Sequence, residues 1–255
     1  MSVSIVTATW NRAETIRSTI ESILSQKYQD WEHIIIDGES TDNTLDIIEE
    51  YRARYNGRLK LVSEPDNGIY DAMNKGLHMA DGDVIGILNS DDFFADSNSL
   101  TRVVEALSDA SLDAVYGDCN IVDSHNLSKT IRRYNSAGFR RWKMRLGYMP
   151  AHPTLYCRKE IFDRIGDFDT SFKIAADFDW LLRSIYISNI KVQYIPHLQT
   201  IMRQGGASDS GWKSRLLIMK EHTRSFKNVN LWYAMPLEFV RFTEKYCRKV
   251  LGLPY

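Results

Sequence analysis

Val84-Ile85-Gly86-Ile87-Leu88-Asn89-Ser90-Asp91-Asp92-Phe93-Phe94 is an apolar run that stops abruptly in a polar and acidic cluster. Its nearly continuous aliphatic character fits a strand buried on both faces of a parallel sheet, which carries the carboxylates to its C-terminal end. In open α/β sheets that edge is where ligands bind. Adjacent carboxylates repel one another unless a cation sits beside them, and oxygen ligands at the end of a rigid strand suit Mg²⁺ or Mn²⁺. The plainer reading is an acidic turn that caps a helix starting near Asp96 or Ser97. The remainder of the chain decides between the two.

With 255 residues, of which 44% are hydrophobic and 25% charged, the chain has an ordinary globular composition and the length for one large domain with appendages. Cys119, Cys157 and Cys247 are scattered, odd in number and free of C-x-x-C pairing. They argue against a disulfide framework or a zinc site and fit a reducing compartment. No apolar run is long enough for a membrane span and the first residues enter a strand directly, so neither a span nor a leader is expected and a cytoplasmic location is the default. The net charge of −1 hides a polarity: residues 1–100 hold 18 acidic and 8 basic side chains, and residues 203–255 hold 4 and 10. An acidic half is consistent with a metal site. A basic tail is consistent with phosphate-bearing or membrane-surface partners, or with a solvated face. Nucleic acid is not expected as a partner, and homo-oligomerisation is left open.

Outward from residues 84–88 the two hydrophobic periodicities alternate. Strands are expected at Ser2 to Thr7, Glu32 to Asp37, Leu59 to Ser63 and Asp113 to Gly117, and helices at Ala13 to Gln26, Asp42 to Tyr55, Ile69 to Met79 and about Ser97 to Leu107. This βαβαβαβ order predicts an α/β fold with a mostly parallel central sheet, right-handed crossovers and helices on both faces. Past residue 118 the alternation loosens, and Lys129 to Asn135 and Ala151 to Cys157 read as strands of a small subsidiary sheet.

Polar loops follow each early strand: Thr7-Ala8-Thr9-Trp10-Asn11-Arg12, Asp37-Gly38-Glu39-Ser40-Thr41-Asp42 and Glu64-Pro65-Asp66-Asn67-Gly68. Singly, each supplies good N-cap or turn residues. In succession, all at the edge that carries Asp91, they describe a polar crevice suited to a nucleotide. Neither G-x-G-x-x-G nor G-x-x-x-x-G-K-[ST] is present, so a divalent ion at Asp91 and Asp92 is the economical way to hold the phosphates.

Those loops, with Ile69-Tyr70-Asp71-Ala72-Met73-Asn74-Lys75-Gly76 and Leu88-Asn89-Ser90-Asp91-Asp92, resemble family 2 glycosyltransferases of the GT-A fold over roughly residues 1–206. Within the family the likeness is greatest to bacterial enzymes that build capsule, O-antigen or exopolysaccharide repeat units of the colanic-acid type. The resemblance implies a catalytic domain at 1–210, divided into a nucleotide-sugar-binding half (1–117) and an acceptor-binding half (118–210), and a C-terminal helical extension at 211–255. It implies a nucleotide-diphosphate-sugar donor, UDP-sugar favoured over GDP- or dTDP-sugar, and a glycan or lipid-linked saccharide acceptor. Thr7, Asp37 and Asp66 would lie near the nucleoside, with Thr9, Asn11 and Asn67 on the same loops. The D-x-D position falls on Asn89-Ser90-Asp91, with Asp91 as direct ligand of Mn²⁺ or Mg²⁺ and Asp92 as a sugar-hydroxyl or supporting group. The chain departs from the family pattern at Asp37-Gly38, where many relatives have two aspartates, at Asn89, and at Met73, often an arginine. Lys75 would supply part of the missing positive charge.

In the second half, Asp177 and Asp179 open an apolar helix two residues apart and therefore point to different sides. Single-displacement transfer needs a base opposite the leaving diphosphate. Asp177 matches the base aspartate of the family's E-D pattern, with Ala176 in place of the glutamate, and Asp179 reads as structural. His152, in Met149-Pro150-Ala151-His152-Pro153-Thr154, is a candidate contact to sugar or diphosphate. Met202-Arg203-Gln204-Gly205-Gly206-Ala207-Ser208 reads as a loop that orders over a diphosphate, with Arg203 forked onto the phosphates. Trp212 to Lys227 and Leu231 to Leu253 read as helices mixing cations with aromatics. They suit peripheral contact with the cytoplasmic face of the inner membrane, a partner subunit, or packing on the catalytic domain. The leading expectation is an inverting, metal-dependent glycosyltransferase of bacterial surface polysaccharide biosynthesis. The alternatives are a sugar-phosphate nucleotidyltransferase and a non-catalytic nucleotide- or carbohydrate-binding module.

Overall fold

The computed structural model describes residues 1–206 and 211–233. The elements run β1 (Val3–Thr9), α1 (Ile16–Leu24), β2 (Trp31–Asp37), α2 (Thr44–Tyr51), β3 (Leu59–Ser63), α3 (Ile69–His78), β4 (Val84–Ile87), β5 (Phe93–Phe94), α4 (Ser99–Leu107), β6 (Ala114–Val122), β7 (Thr130–Tyr134), β8 (Tyr156–Arg158), α5 (Lys159–Ile165), α6 (Ala176–Leu181), β9 (Val192–Arg203) and α7 (Trp212–Asn228). The α/β class and the early alternation stand as expected. Of the helix expected at Leu231 to Leu253, residues 231–233 are described and are not helical, and the remainder lies outside the described residues, as do Ala207 and Ser208.

All the described strands form one sheet in the order β3-β2-β1-β4-β8-β6-β9-β5, with β7 paired to β6. β1 to β4 pair in parallel, and so do β6 and β9, while β5, β7 and β8 run against their neighbours. The two strands expected to make a subsidiary sheet therefore join the central one. β8 is inserted between β4 and β6, antiparallel to both. Gly86 permits the insertion: a Cβ there would lie 2.1 Å from the ring of Tyr156, its cross-strand partner.

Strand alternation sorts the core into two layers. Ile34 and Ile36 face one side with Val6, Met73, Leu77, Phe178 and Trp180. Ile35 faces the other with Val3, Ile5, Ile16, Ile20, Ile48, Leu100 and Val103. Each fully buried aliphatic side chain contributes about 1.5–3 kcal/mol of transfer free energy. Gly76 lets α3 lie close on β1, since a Cβ there would meet Val6 Cγ1 at 2.3 Å. The register Thr9 to Asp37 to Ser63 aligns the ends of β1, β2 and β3, and Val6 to Ile87 brings the end of β4 beside them.

α7 packs on α6 through Phe226, whose ring lies 5.8 Å from that of Phe178, and through His222, stacked on Phe178 at 3.8 Å. Of the tail's expected roles, this part packs on the rest of the protein. Leu216 at 42% exposure and Trp212 at 63% remain in solvent.

Candidate functional site

Three groups of side chains gather around the C-terminal ends of β1, β2 and β4. In the first, Asp37 is fully buried. Its Oδ2 accepts the Ser40 N–H (2.9 Å) and the Ser63 hydroxyl (2.7 Å), and its Oδ1 accepts the Ser40 hydroxyl (2.5 Å). It shapes the loop from beneath. Asp66 is half-buried on the next loop; its Oδ1 accepts the Gly68 N–H at 2.8 Å, and its Oδ2 lies 2.4 Å from where a Cβ on Gly38 would sit. The glycine in Asp37-Gly38 is thus what admits the Asp66 carboxylate. The same Cβ position is 3.6 Å from Trp10 Cδ1, and Trp10 is 61% exposed. An indole left in water at the end of a fully buried strand is a ready stacking platform. Sequence reasoning passed over it; the signal was a large aromatic directly after a buried run.

The other members of this group sort by their partners. Thr9 is 5% exposed, and its hydroxyl has no partner among the described residues, so it retains capacity for a ligand. Asn67 is exposed, its backbone N–H donating to Asp71 at 2.9 Å. Asn11, held at φ 50°, accepts the Thr41 N–H at 2.8 Å through its side-chain carbonyl and pins the first loop to the second. Two further side chains are already committed within the protein. Thr7 is fully buried: its hydroxyl donates to the Leu88 carbonyl (2.6 Å) and accepts from His33 Nε2 (2.8 Å), so no hydrogen remains for a nucleoside. Lys75 turns its ammonium to Glu64 (2.8 Å), the Pro65 carbonyl (2.8 Å) and Asp71 (3.9 Å). It steadies the loop that carries Asp66 and offers no unmatched charge to a diphosphate.

The second group is the turn Asn89–Asp92, closed by the Asp92 N–H donating to the Asn89 carbonyl at 3.0 Å. α4 starts at Ser99, after Asn98, and β5 intervenes, so the acidic pair does not cap a helix. Asp91 is half-buried and Ser90 is 4% exposed. Asp92, at 1% exposure, is turned inward. Burial, reinforced by the Asp91 charge, raises its carboxyl well above the usual range, while Asn89 and Arg203 act in the opposite direction. Of its two expected roles, support from within fits better than contact with a sugar. Arg203 closes β9 and is no free loop residue: one Nη donates to Ser18 Oγ at 2.6 Å and the guanidinium lies 5.3 Å from the Phe93 ring centroid. Burial lowers its pKa against the opposing pull of Asp91 and Asp92. Its Nε is buried with no partner among the described residues.

Whether this turn suits a divalent ion can be judged from its donor set. Asn89 Oδ1 is a buried oxygen without a partner among the described residues, and Asp91 adds a carboxylate one residue beyond Ser90. These are hard oxygen donors of the kind Mg²⁺ or Mn²⁺ takes. No cluster of three His, Cys, Asp or Glu occurs among the described residues; a divalent ion here would need further ligands from phosphate oxygens and water.

The third group joins the two halves of the chain. Asp177 is half-buried in the first turn of α6, where one carboxylate oxygen accepts the Phe178 N–H at 2.7 Å. Its charge is felt by both Tyr70 and His152. The Tyr70 hydroxyl donates to the Ile174 carbonyl at 2.5 Å. His152 packs edge-on against Phe168, with ring centroids 6.2 Å apart. Burial lowers its pKa below the ordinary value, with Asp177 opposing. Asp179 is structural as expected, 3% exposed and paired with Arg183 at 2.8 Å.

The profile of glycosyl transferase family 2 matches residues 4–166. The PGL/p-HBAD biosynthesis glycosyltransferase of Mycobacterium bovis is 32% identical over 181 residues, which are 71% of this chain and 68% of that protein. Among solved structures, S. aureus TarS 1–349 in complex with UDP-GlcNAc superposes with a TM-score of 0.71 at 19% identity, covering 89% of this chain and 67% of that one. The mannosyltransferase PcManGT from Pyrobaculum calidifontis, in complex with GDP-Man and Mn²⁺, gives 0.66 at 19% identity, covering 92% of this chain and 66% of that one. The loop motifs, the sheet that aligns them and these matches agree: the chain is a glycosyltransferase and belongs to glycosyl transferase family 2.

Proposed function

We propose that the protein is an inverting, metal-dependent glycosyltransferase that moves a sugar from a nucleoside-diphosphate sugar to a hydroxyl of a glycan or lipid-linked saccharide, in the assembly of a bacterial surface glycoconjugate. The observation that carries this reading is the convergence of three kinds of group at one edge: a loop pair with Asp66 and an exposed indole, an oxygen-rich turn with Asp91, and a carboxylate on α6. The base stacks on Trp10 while Thr9 and Asp66 take up polar groups of the nucleoside. UDP is the favoured nucleotide. TarS, of similar fold, was solved with UDP-GlcNAc, and PcManGT with GDP-Man and Mn²⁺.

Asp91 and Asn89 would hold Mn²⁺ or Mg²⁺, which when bound supplies positive charge for the departing diphosphate. Arg203 adds a fixed cation on the same side, its free Nε–H available to a phosphate oxygen. Asp177 takes the proton from the acceptor hydroxyl as that oxygen bonds to the anomeric carbon. The bond from that carbon to the diphosphate oxygen breaks, its electron pair leaving with the nucleoside diphosphate. Attack opposite the leaving group inverts the centre, and no covalent enzyme intermediate is needed. His152, which feels the Asp177 charge, can offer a ring N–H to the donor sugar.

A thermal-shift panel of UDP-, GDP- and dTDP-sugars with Mn²⁺ tests this reading, since a ligand specific to the folded state must raise its melting temperature. One nucleotide class should stabilise only with metal present. If no member of the panel shifts Tm, or if pyrophosphate appears as product, the reading is wrong; pyrophosphate would identify a nucleotidyltransferase.

A further inference from the structure

Glu221 lies on α7, outside the residues matched to the family and 44 positions beyond Asp177 in sequence. It is 6% exposed, and both carboxylate oxygens are turned to backbone: Oε1 accepts the Lys173 N–H at 2.8 Å, and Oε2 accepts those of Ile174 (3.0 Å) and Ala175 (2.9 Å). Three consecutive amides on one buried carboxylate form a charge-assisted clamp, stronger than neutral hydrogen bonds would be. The same tripeptide is held from its other side by the Tyr70 hydroxyl on the Ile174 carbonyl. Ala176 follows immediately and begins α6; Asp177 is the next residue. One residue further, Phe178 lies under the His222 ring at 3.8 Å and 23°. α7 therefore holds the backbone before Asp177 and the side chain after it.

We propose that Glu221 is a positioning residue for glycosyl transfer: by clamping residues 173–175 it sets where the Asp177 carboxylate stands relative to the acceptor hydroxyl. The inference rests on Asp177 as the base. It makes α7 part of the catalytic machinery, because a base displaced by about 1 Å forfeits up to about 10²-fold in rate. Among the described residues the Glu221 carboxylate bonds to residues 173–175 and to neither the Asp66 loop nor the Asn89–Asp92 turn, so nucleotide binding should be independent of it.

The test compares wild type, E221Q and E221A, with D177N alongside, using the panel donor that gives the fastest nucleotide release with Mn²⁺. E221A should lower kcat on the order of 10- to 100-fold with donor KM and UDP affinity within about twofold of wild type. E221Q keeps the side chain's length and one carbonyl acceptor, so it should fall between the two. Amide exchange at residues 173–178 should accelerate in the same order, by at least tenfold in E221A. E221Q, which preserves volume, keeps the test valid if E221A fails to fold. Wild-type turnover in the Glu221 variants with a crippled D177N overturns the positioning role alone. Wild-type turnover in D177N as well overturns the base assignment and the inference with it. Loss of UDP affinity in parallel with kcat overturns it too, by showing a general loosening.

Discussion

The Asp66 carboxylate stands where a side chain on residue 38 would lie, its Oδ2 2.4 Å from an ideal Cβ on Gly38. A methyl group cannot share that position. Gly38→Ala must push Asp66 outward and loosen its cap on the Gly68 N–H, at a cost of about 1–3 kcal/mol typical of overpacking. Isothermal titration with UDP should show affinity falling at least about tenfold, the scale of one charge-assisted hydrogen bond. Unchanged affinity would mean that Asp66 is not a nucleotide contact.

The acidic turn makes a separate prediction. Asp91→Ala should abolish Mn²⁺-dependent UDP binding, because the half-buried carboxylate is the turn's available charged oxygen donor. Asp92→Asn should weaken it less, since Asp92 is buried and burial already favours its uncharged form. Calorimetry that finds the metal dependence intact in the Asp91 variant would refute the assignment.

Much of this was legible in the sequence, and the reasons differ by element. β1 to β4 and their helices carry strong periodicity over short, local connections, so their order and their polar edge could be read directly. β8 has three residues, too few for any alternation, and its place between β4 and β6 depends on Gly86 accepting the Tyr156 ring, a contact between positions 70 apart. Motif spacing located Thr7 and Lys75 at the crevice but was silent on their partners. Both proved committed to the protein's own oxygens. Glu221 was invisible for the same reason, since the amides it clamps lie 46 to 48 residues away.

Thr7 leads to a prediction about pH. It belongs to a buried chain in which His33 Nε2 meets the Thr7 hydroxyl (2.8 Å) and Nδ1 the Tyr55 hydroxyl (2.7 Å). Burial pushes the imidazole down from 6.5 to about 3. The folded value lies below the unfolded one, so this contribution to stability is complete above pH 6.5. It is lost as pH falls from 6.5 toward 3, because the unfolded chain takes up the proton first. Between pH 7 and 5 the loss from this group is about 2 kcal/mol. Urea titrations at the two pH values should show that difference between wild type and His33→Gln, whose stability lacks the imidazole's contribution. Equal slopes would mean that the ring is protonated in the fold.

The last prediction concerns membrane contact, and the structure changes how it must be tested. Deleting 211–255 would uncover Phe178 and free residues 173–175 from Glu221, so truncation would confuse docking with misfolding. A second surface is better suited to mutation. Residues 124–157 hold seven basic and no acidic side chains. Trp142 among them is 60% exposed, and the Arg145 guanidinium donates to the carbonyl of Trp232, itself 74% exposed. Basic segment and tail thus adjoin, and aromatic rings beside cations suit the headgroup region of an anionic leaflet. No helix among the described residues is long and apolar enough to cross a membrane. A lysine or arginine near such a surface contributes about 1 kcal/mol, or roughly fivefold in partitioning, and salt screens it. The full chain should therefore sediment with phosphatidylglycerol vesicles at low salt and be released at high salt. Trp142→Ser and Arg133→Gln, both at exposed positions, should each weaken sedimentation about fivefold without moving Tm. A full-length protein that stays in the supernatant at low salt would rule out docking.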